Sequence, residues 1–297
     1  HIYKMDVNQM LQDHINNDAD LTIATIPVPV SEAHHFGVVE IDDNYQVTGF
    51  VEKPKHGAKT IPDRPDMILA SMGNYIFKAN VMIDVLQRNA LRNSGIDFGK
   101  EIIPEMYPRS KVMAYDFGTN FIAGEDDINK GYWRDVGTVD SYFAAVMDLV
   151  AVTPLFNLYN PKWPMVSAPM HLPPAKFVFA DSKSQRVGIA TDSLVSDGSI
   201  ISGGTINRCV LHPRVRIHSY ADVDESILMD GVEIGRHCKI RRTIIDKGVK
   251  IPAGMTIGYD LDADRERFTV TDSGIVVVPK GALIEPKGGF NEEKVTA

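Results

Sequence analysis

The feature that most constrains this chain is a 17-residue repeat of apolar residues between positions 194 and 257. Its triplets are Leu194, Ile200 and Ile206; Leu211, Ile217 and Val223; Leu228, Ile234 and Ile240; and Ile245, Ile251 and Ile257, with members six residues apart. Two further series keep the same period, Val210, Ile227 and Ile244, and Val215, Val232 and Val249. Neither the period of a helix nor the alternation of a strand produces such a pattern. Three apolar corners per unit over four units predict a triangular parallel β-helix, in which equivalent residues stack one coil away and point into a narrow core. Gly235, Gly248, Gly254 and Gly258 fall near the corners, where the chain must turn tightly. An irregular antiparallel sheet is the alternative, but it gives no reason for several phases to persist together.

At 297 residues the chain has room for a second domain. Its formal net charge of -8 argues against non-specific nucleic-acid binding. Two cysteines, Cys209 and Cys238, have neither metal-ligand spacing nor the density of a secreted disulfide framework, which points to a reducing, cytoplasmic setting. No apolar run is long enough for a membrane span and no signal-peptide pattern opens the chain. It begins at His1 without an initiator methionine, so further natural sequence is expected before it.

Ahead of the repeat, Asp6 precedes Val7, Met10, Leu11 and Ile15 at helical spacing, predicting a capped amphipathic helix over 6–18. Residues 21–28 read as a buried strand, and 37–42 with 46–51 as a hairpin turned by Asp42, Asp43 and Asn44. A loop with three prolines follows at 53–66, then a strand over 68–77 interrupted by Gly73 and a helix over 80–91. Asp97 is a cap before another short helix, 111–117 a strand, and 131–138 a glycine-punctuated loop leading into a helix through Tyr142, Val146, Leu149 and Val150. Six prolines mark 153–179 as a linker anchored by Trp163, Phe177 and Phe179. The charged stretch 259–267 is suited to closing the open end of the solenoid, 269–279 reads as one or two strands, and 292–297 as a frayed tail.

Three polar segments stand where α/β folds place ligand loops: Glu52-Lys53-Pro54, Asp97 to Lys100, and Trp133 to Gly137. Taken singly each is weak, since an adjacent Glu and Lys is as readily a solvated surface pair. No Ser-His-Asp set, His-Glu-x-x-His motif or closely spaced Cys/His group is present, which sets aside hydrolase and structural-zinc chemistry.

Taken in order, the segments 50–54 (Phe-Val-Glu-Lys-Pro), 70–77 (Ala-Ser-Met-Gly-Asn-Tyr-Ile-Phe), 97–100 (Asp-Phe-Gly-Lys) and 132–138 (Tyr-Trp-Arg-Asp-Val-Gly-Thr) are specific. With the proline-rich linker and hexapeptide-like solenoid behind them, they resemble the bacterial ADP-glucose pyrophosphorylases, or glucose-1-phosphate adenylyltransferases, from His1 to about residue 280. The resemblance implies an α/β fold: part of a Rossmann-like nucleotidyltransferase domain over 1–152, a linker over 153–185, and a left-handed parallel β-helix with its cap over 186–297.

It also implies ATP and glucose 1-phosphate as substrates, ADP-glucose and diphosphate as products, and Mg²⁺ as cofactor, in glycogen biosynthesis. By matching position, Glu52 would accept hydrogen bonds from sugar hydroxyls and Lys53 would hold the sugar phosphate. Ser71, Tyr75 and Trp133 would shape the sugar pocket, Gly37 would let the backbone approach the sugar, and Asp97 would orient the glucose or its neighbouring loop. Asp135 would be a metal ligand and a catalytic residue alongside Lys53. Lys239, Arg241 and Arg242 match a basic site for an anionic inhibitor such as AMP, and Lys280 a site for a sugar-bisphosphate activator, although the stretch 278–281 departs from the family's arginine-rich pattern. A homotetramer, with no nucleic-acid or membrane partner, is implied as well.

The family pattern begins with a glycine-rich nucleotide loop and a first metal-binding aspartate, and neither is in this sequence. The fragment alone is therefore expected to be inactive in the full reaction. Three other readings remain: a nucleotidyltransferase using another nucleotide, an acyltransferase built on the solenoid with His212, His218 or His237, and a non-catalytic regulatory subunit or truncated form.

Overall fold

The computed structural model describes residues 1–62, 64–91, 97–125, 131–178, 180–181, 183–184 and 186–285. The expectations for Phe179 and for 292–297 lie outside the described residues. The chain divides into two compact units, one Tyr3–Gly131 and the other starting at Tyr132 and including His1 and Ile2.

The first unit is built on a five-stranded sheet in the order Val47–Glu52, Gly37–Ile41, Met67–Phe77, Leu21–Pro29, Val112–Asp116. Neighbours are antiparallel except the last two, which run parallel. The expected hairpin forms, and helix Val7–Asn16 starts at Asp6, whose side chain accepts from the backbone N–H of Asn8. That helix buries Met10 and His14 and leaves Val7, Leu11 and Ile15 exposed, so its inward face is narrower than its apolar spacing suggests. Leu21, Ile23, Val39, Phe50, Leu69, Val85, Ile102 and Val112 meet in one core, drawing helices Ala79–Leu91 and Ile103–Met106 onto the sheet.

A bulge in strand Met67–Phe77 positions side chains used below. Thr25 pairs with Ser71 and Ile23 with Tyr75, so one intervening residue on one strand faces three on its partner. The excess is taken up at Gly73, with φ 75°. Ser71 and Tyr75 would stand roughly 13 Å apart along a regular strand; the bulge halves that span and leaves both on one face.

The second unit is the solenoid together with helix Val139–Asp148. Three parallel sheets form its sides, and Ile217, Ile234 and Ile251 or Val223, Ile240 and Ile257 stack in register at essentially zero exposure. Each coil turns at three left-handed residues, in ladders through Asp192, Arg208, Glu225 and Arg242, through Gly198, Arg214, Gly231 and Gly248, and through Gly203, Tyr220, His237 and Gly254. Gly235 is not left-handed, but a Cβ there would lie 2.7 Å from the Ile251 carbonyl oxygen.

The first coil corrects the sequence reading by one residue. Val195 pairs with Leu211, and Ile201 with Ile217, a separation of 16 where later coils keep 17. Ile201, not Ile200, is therefore the buried corner. The missing residue is lost at Gly203-Gly204, where a Cβ on Gly204 would come within 2.7 Å of Ile217 Cγ2. Lys176–Val178 adds an outer strand beside Ile200–Ser202, so the proline-rich segment also feeds a rung to the coils.

At the far end, the charged stretch 259–267 does cap the core. Helix Leu261–Arg265 is capped by Asp260, and the buried Asp264 carboxylate accepts from Gly258 N at 2.7 Å and from Arg267 Nη2 at 3.2 Å. Two strands follow, Thr269–Val270 and Val276–Val278, the second parallel to Thr243–Ile245.

Candidate active site

In the first unit, strand Val47–Glu52 ends at Glu52, paired across the hairpin with Gly37. A Cβ at Gly37 would sit 2.5 Å from Phe50 Cζ and 2.9 Å from Glu52 Oε2. The missing side chain of Gly37 is thus filled by the Phe50 ring and the Glu52 carboxylate. Lys53 follows with φ 49°, a strained conformation for a residue with a Cβ. Its backbone N–H donates to the Phe36 carbonyl at 3.0 Å, and its exposed ammonium stands 4.0 Å from Glu52 Oε1.

The bulged strand brings Ser71 and Tyr75 to the same place. The Tyr75 phenol is pushed above its ordinary pKa, first by burial and further by the Glu52 and Asp97 carboxylates, while the Ser71 hydroxyl opposes the shift. At neutral pH Tyr75 is a protonated donor. Its ring stacks on Phe98 at 5.7 Å and 14°. Asp97 caps the helical turn Phe98–Ile102 by accepting from Lys100 N at 2.9 Å, which fixes the loop beside the tyrosine.

Glu52, Lys53, Ser71, Tyr75 and Asp97 are therefore one constellation. It offers two carboxylate acceptors, two hydroxyls and a mobile cation, a set suited to a polyhydroxylated ligand with one anionic end. Gly99 and Phe98 belong to it too. The sequence reading named Asp97 from this segment but not these neighbours; the available signal was a glycine in the first turn of a helix, where alanine would be favoured.

Trp133 and Asp135 lie in the second unit. The His1 imidazole stacks on Trp133 at 5.1 Å, with Nδ1 3.9 Å from Asp135 Oδ1. Asp135 accepts from Gly137 N at 3.1 Å, and Thr138 forms a capping box with Ser141 that starts helix Val139–Asp148. Among the described residues there is no group of three or more His, Cys, Asp or Glu able to hold a metal. A half-exposed single carboxylate such as Asp135 still fits Mg²⁺, which keeps several waters and takes one or two carboxylates together with substrate phosphates.

Of the basic residues singled out in the coils, Arg241 and Arg242 are met by acids. Lys239 is the register partner of Asp222, and Arg241 pairs with Asp224 at 3.7 Å. Arg242, at a left-handed corner, shares Glu225 with Arg208 at 3.6 and 2.8 Å, and its guanidinium lies 5.7 Å from the Phe143 ring centroid. Val276 N donates to the Arg242 carbonyl, whereas Lys280, beyond the end of that strand, donates its backbone N–H to the Asp246 carboxylate. His212 is held below its ordinary pKa by burial, His218 bonds Glu233 at 2.7 Å, and His237 stacks on Tyr220. Burial pushes the Cys209 thiol to about 12 and Cys238 to about 11, so neither is an activated nucleophile.

Among the described residues no helix is long and apolar enough to cross a membrane. Residues 1–151 match the nucleotidyl transferase family, and residues 173–278 match the GlmU-like, C-terminal hexapeptide family. The glucose-1-phosphate adenylyltransferase of Anaeromyxobacter sp. (strain Fw109-5) is 55% identical over 96% of this chain and 70% of its own length. Those of Koribacter versatilis (strain Ellin345) and Deinococcus radiodurans are 49% and 48% identical over 94% and 95% of this chain, and 66% and 68% of their own lengths. The sequence thus spans about two thirds of these relatives, and its two domain types, their order and this level of identity agree. The chain belongs to the glucose-1-phosphate adenylyltransferase family.

Proposed function

We propose that this chain carries the glucose 1-phosphate site of a glucose-1-phosphate adenylyltransferase, which makes ADP-glucose and diphosphate from ATP and glucose 1-phosphate. The observation that carries the reading is that the turn Phe98–Ile102 meets both Tyr75, through Phe98, and Glu52, through Gly99, with the Lys53 ammonium 4.0 Å from the Glu52 carboxylate. Glu52 accepts from sugar hydroxyls, Tyr75 donates to one, and Lys53 neutralises the phosphate. A phosphate oxygen of the bound sugar attacks the α-phosphorus of ATP, a new P–O bond forms, and the bond to the β-phosphate oxygen breaks to release diphosphate. No covalent enzyme intermediate is needed, and the high thiol pKa values fit that. The work of these residues is to align and to neutralise. Mg²⁺, with Asp135 as its protein ligand, supplies charge neutralisation on the phosphates when bound.

Calorimetric titration with glucose 1-phosphate tests the reading. Saturable binding that weakens in Lys53→Ala far more for glucose 1-phosphate than for glucose is expected. Absence of binding in the parent chain overturns it.

The same reading extends to regulation. Arg242 is held by Glu225 at the corner where helix Val139–Asp148 packs on the coils, through Phe143 and Val146 against Val210, Ile227 and Ile244. An anion such as AMP would compete with Glu225 for that guanidinium, with Lys239 and Arg241 as further cations and Lys280 nearer a separate activator. Loss of AMP inhibition in Arg242→Glu, assayed in a catalytically competent full-length enzyme, is expected; retention rules the corner out. A homotetramer in the cytoplasm completes the proposal, and the two free cysteines suit a reducing compartment.

A further inference from the structure

Two glycines approach the Glu52 carboxylate, Gly37 from the neighbouring strand and Gly99 from the turn capped by Asp97, and a Cβ on either would meet the same oxygen, Oε2. An added Cβ at Gly99 would stand 2.7 Å from Glu52 Oε2 but 3.3 Å from the nearest Phe50 atom. The clash at Gly99 therefore falls on the movable end of one side chain. At Gly37 it falls on the Phe50 ring, at 2.5 Å, and would disturb the core as well.

Gly99 does not need to be glycine for its own backbone. It is absent from the positive-φ glycines and lies in the helical turn Phe98–Ile102, where alanine is the better residue. A side chain here would have to displace the Glu52 carboxylate. We propose that Gly99 is a positioning residue that sets where the Glu52 carboxylate stands, and with it the fit of the sugar hydroxyl that Glu52 accepts from. This rests on the reading of Glu52 as a glucose 1-phosphate ligand. Asp97 and Phe98 serve the same end, Asp97 by capping the turn and Phe98 by stacking on Tyr75, so that a single turn places both sugar-side groups.

The test is a double-mutant cycle in this chain, read by calorimetry with glucose 1-phosphate, by thermal melting and by the 13C resonance of the Glu52 carboxyl. Gly99→Ala is expected to weaken binding by about tenfold or more, since a small displacement of a ligand group is costly. Its melting temperature should be unchanged or higher, because alanine restricts the unfolded chain. In a Glu52→Ala background the same substitution should change affinity by less than about twofold, because the group it acts through is gone. Equal losses in both backgrounds, or a fall in melting temperature alone, would overturn the proposal. If the parent chain binds no glucose 1-phosphate, the functional reading fails. The carboxyl resonance of the ligand-free chain then decides separately: a shift in Gly99→Ala upholds the positioning role, and an unmoved resonance removes it.

Discussion

The coils and the α/β unit solve the same problem of burying apolar surface in opposite ways. In the coils, Ile217, Ile234 and Ile251 do one job three times, and each layer touches only the next. In the α/β unit, Leu21, Phe50, Leu69, Ile102 and Val112 occupy one place each, brought together from distant parts of the sequence. The ligand constellation inherits that dependence, since its residues come from two strands and a helical turn. Redundancy lets the solenoid absorb a shortened first coil. The site has no second copy of anything and must keep its register.

Substitutions can break this contrast, and the largest effect is expected at the end of the solenoid. Gly258 has φ 85°, and a Cβ there would lie 1.8 Å from the Arg241 carbonyl oxygen. Gly258→Ala should cost about 4 kcal/mol, combining a left-handed backbone with overpacking against rigid main chain, and chemical denaturation monitored on the coils will report it. Ile234→Ala and Leu21→Ala should each cost about 3 kcal/mol as buried large-to-small changes. Their consequences should differ. Ile234→Ala is expected to leave glucose 1-phosphate affinity unchanged, whereas Leu21→Ala, whose residue pairs with Phe77 on the bulged strand, should weaken it.

Within the site, Glu52→Gln removes the charge of an acceptor and should cost about 2 kcal/mol of binding, roughly thirtyfold in affinity, with melting unchanged. Lys53→Ala should lose about fivefold in affinity, a difference that shrinks as salt is added because the ammonium is exposed. The smallest effect is that of pH. Burial lowers the pKa of His212 and His237 in the coils and of His14 in the α/β unit. Because the unfolded chain binds these protons more readily, their contribution to stability is complete above the ordinary histidine pKa and declines as pH falls towards the depressed folded values. Melting at pH 7.5 against pH 5.5 should therefore show a loss on acidification, reduced in a His212→Asn, His237→Asn double variant.

The solenoid was legible because its signal is repeated: four coils fix the phase that a single triplet would leave open. The reading failed only where the period itself changes, at Leu194 and Ile200, since a glycine pair can shorten a turn without altering the apolar pattern around it. Helix Val7–Asn16 was placed by Asp6, but which of its apolar residues face inward depends on the sheet it meets. In the site, Glu52, Lys53, Ser71, Tyr75 and Asp97 followed from a family resemblance. Gly73 was legible as an interruption of its strand, but no spacing contains the register shift there that draws Ser71 towards Tyr75, or the approach of Gly99 to Glu52, because both are set by pairing between distant segments.

The central claim is that the α/β unit binds glucose 1-phosphate through Glu52 and Lys53. A crystal structure of the chain grown with glucose 1-phosphate tests it most directly. The account predicts sugar hydroxyls on the Glu52 carboxylate, the Tyr75 hydroxyl within hydrogen-bond reach of the sugar, and the phosphate at the Lys53 ammonium. A sugar phosphate bound elsewhere, with these side chains untouched, would contradict it.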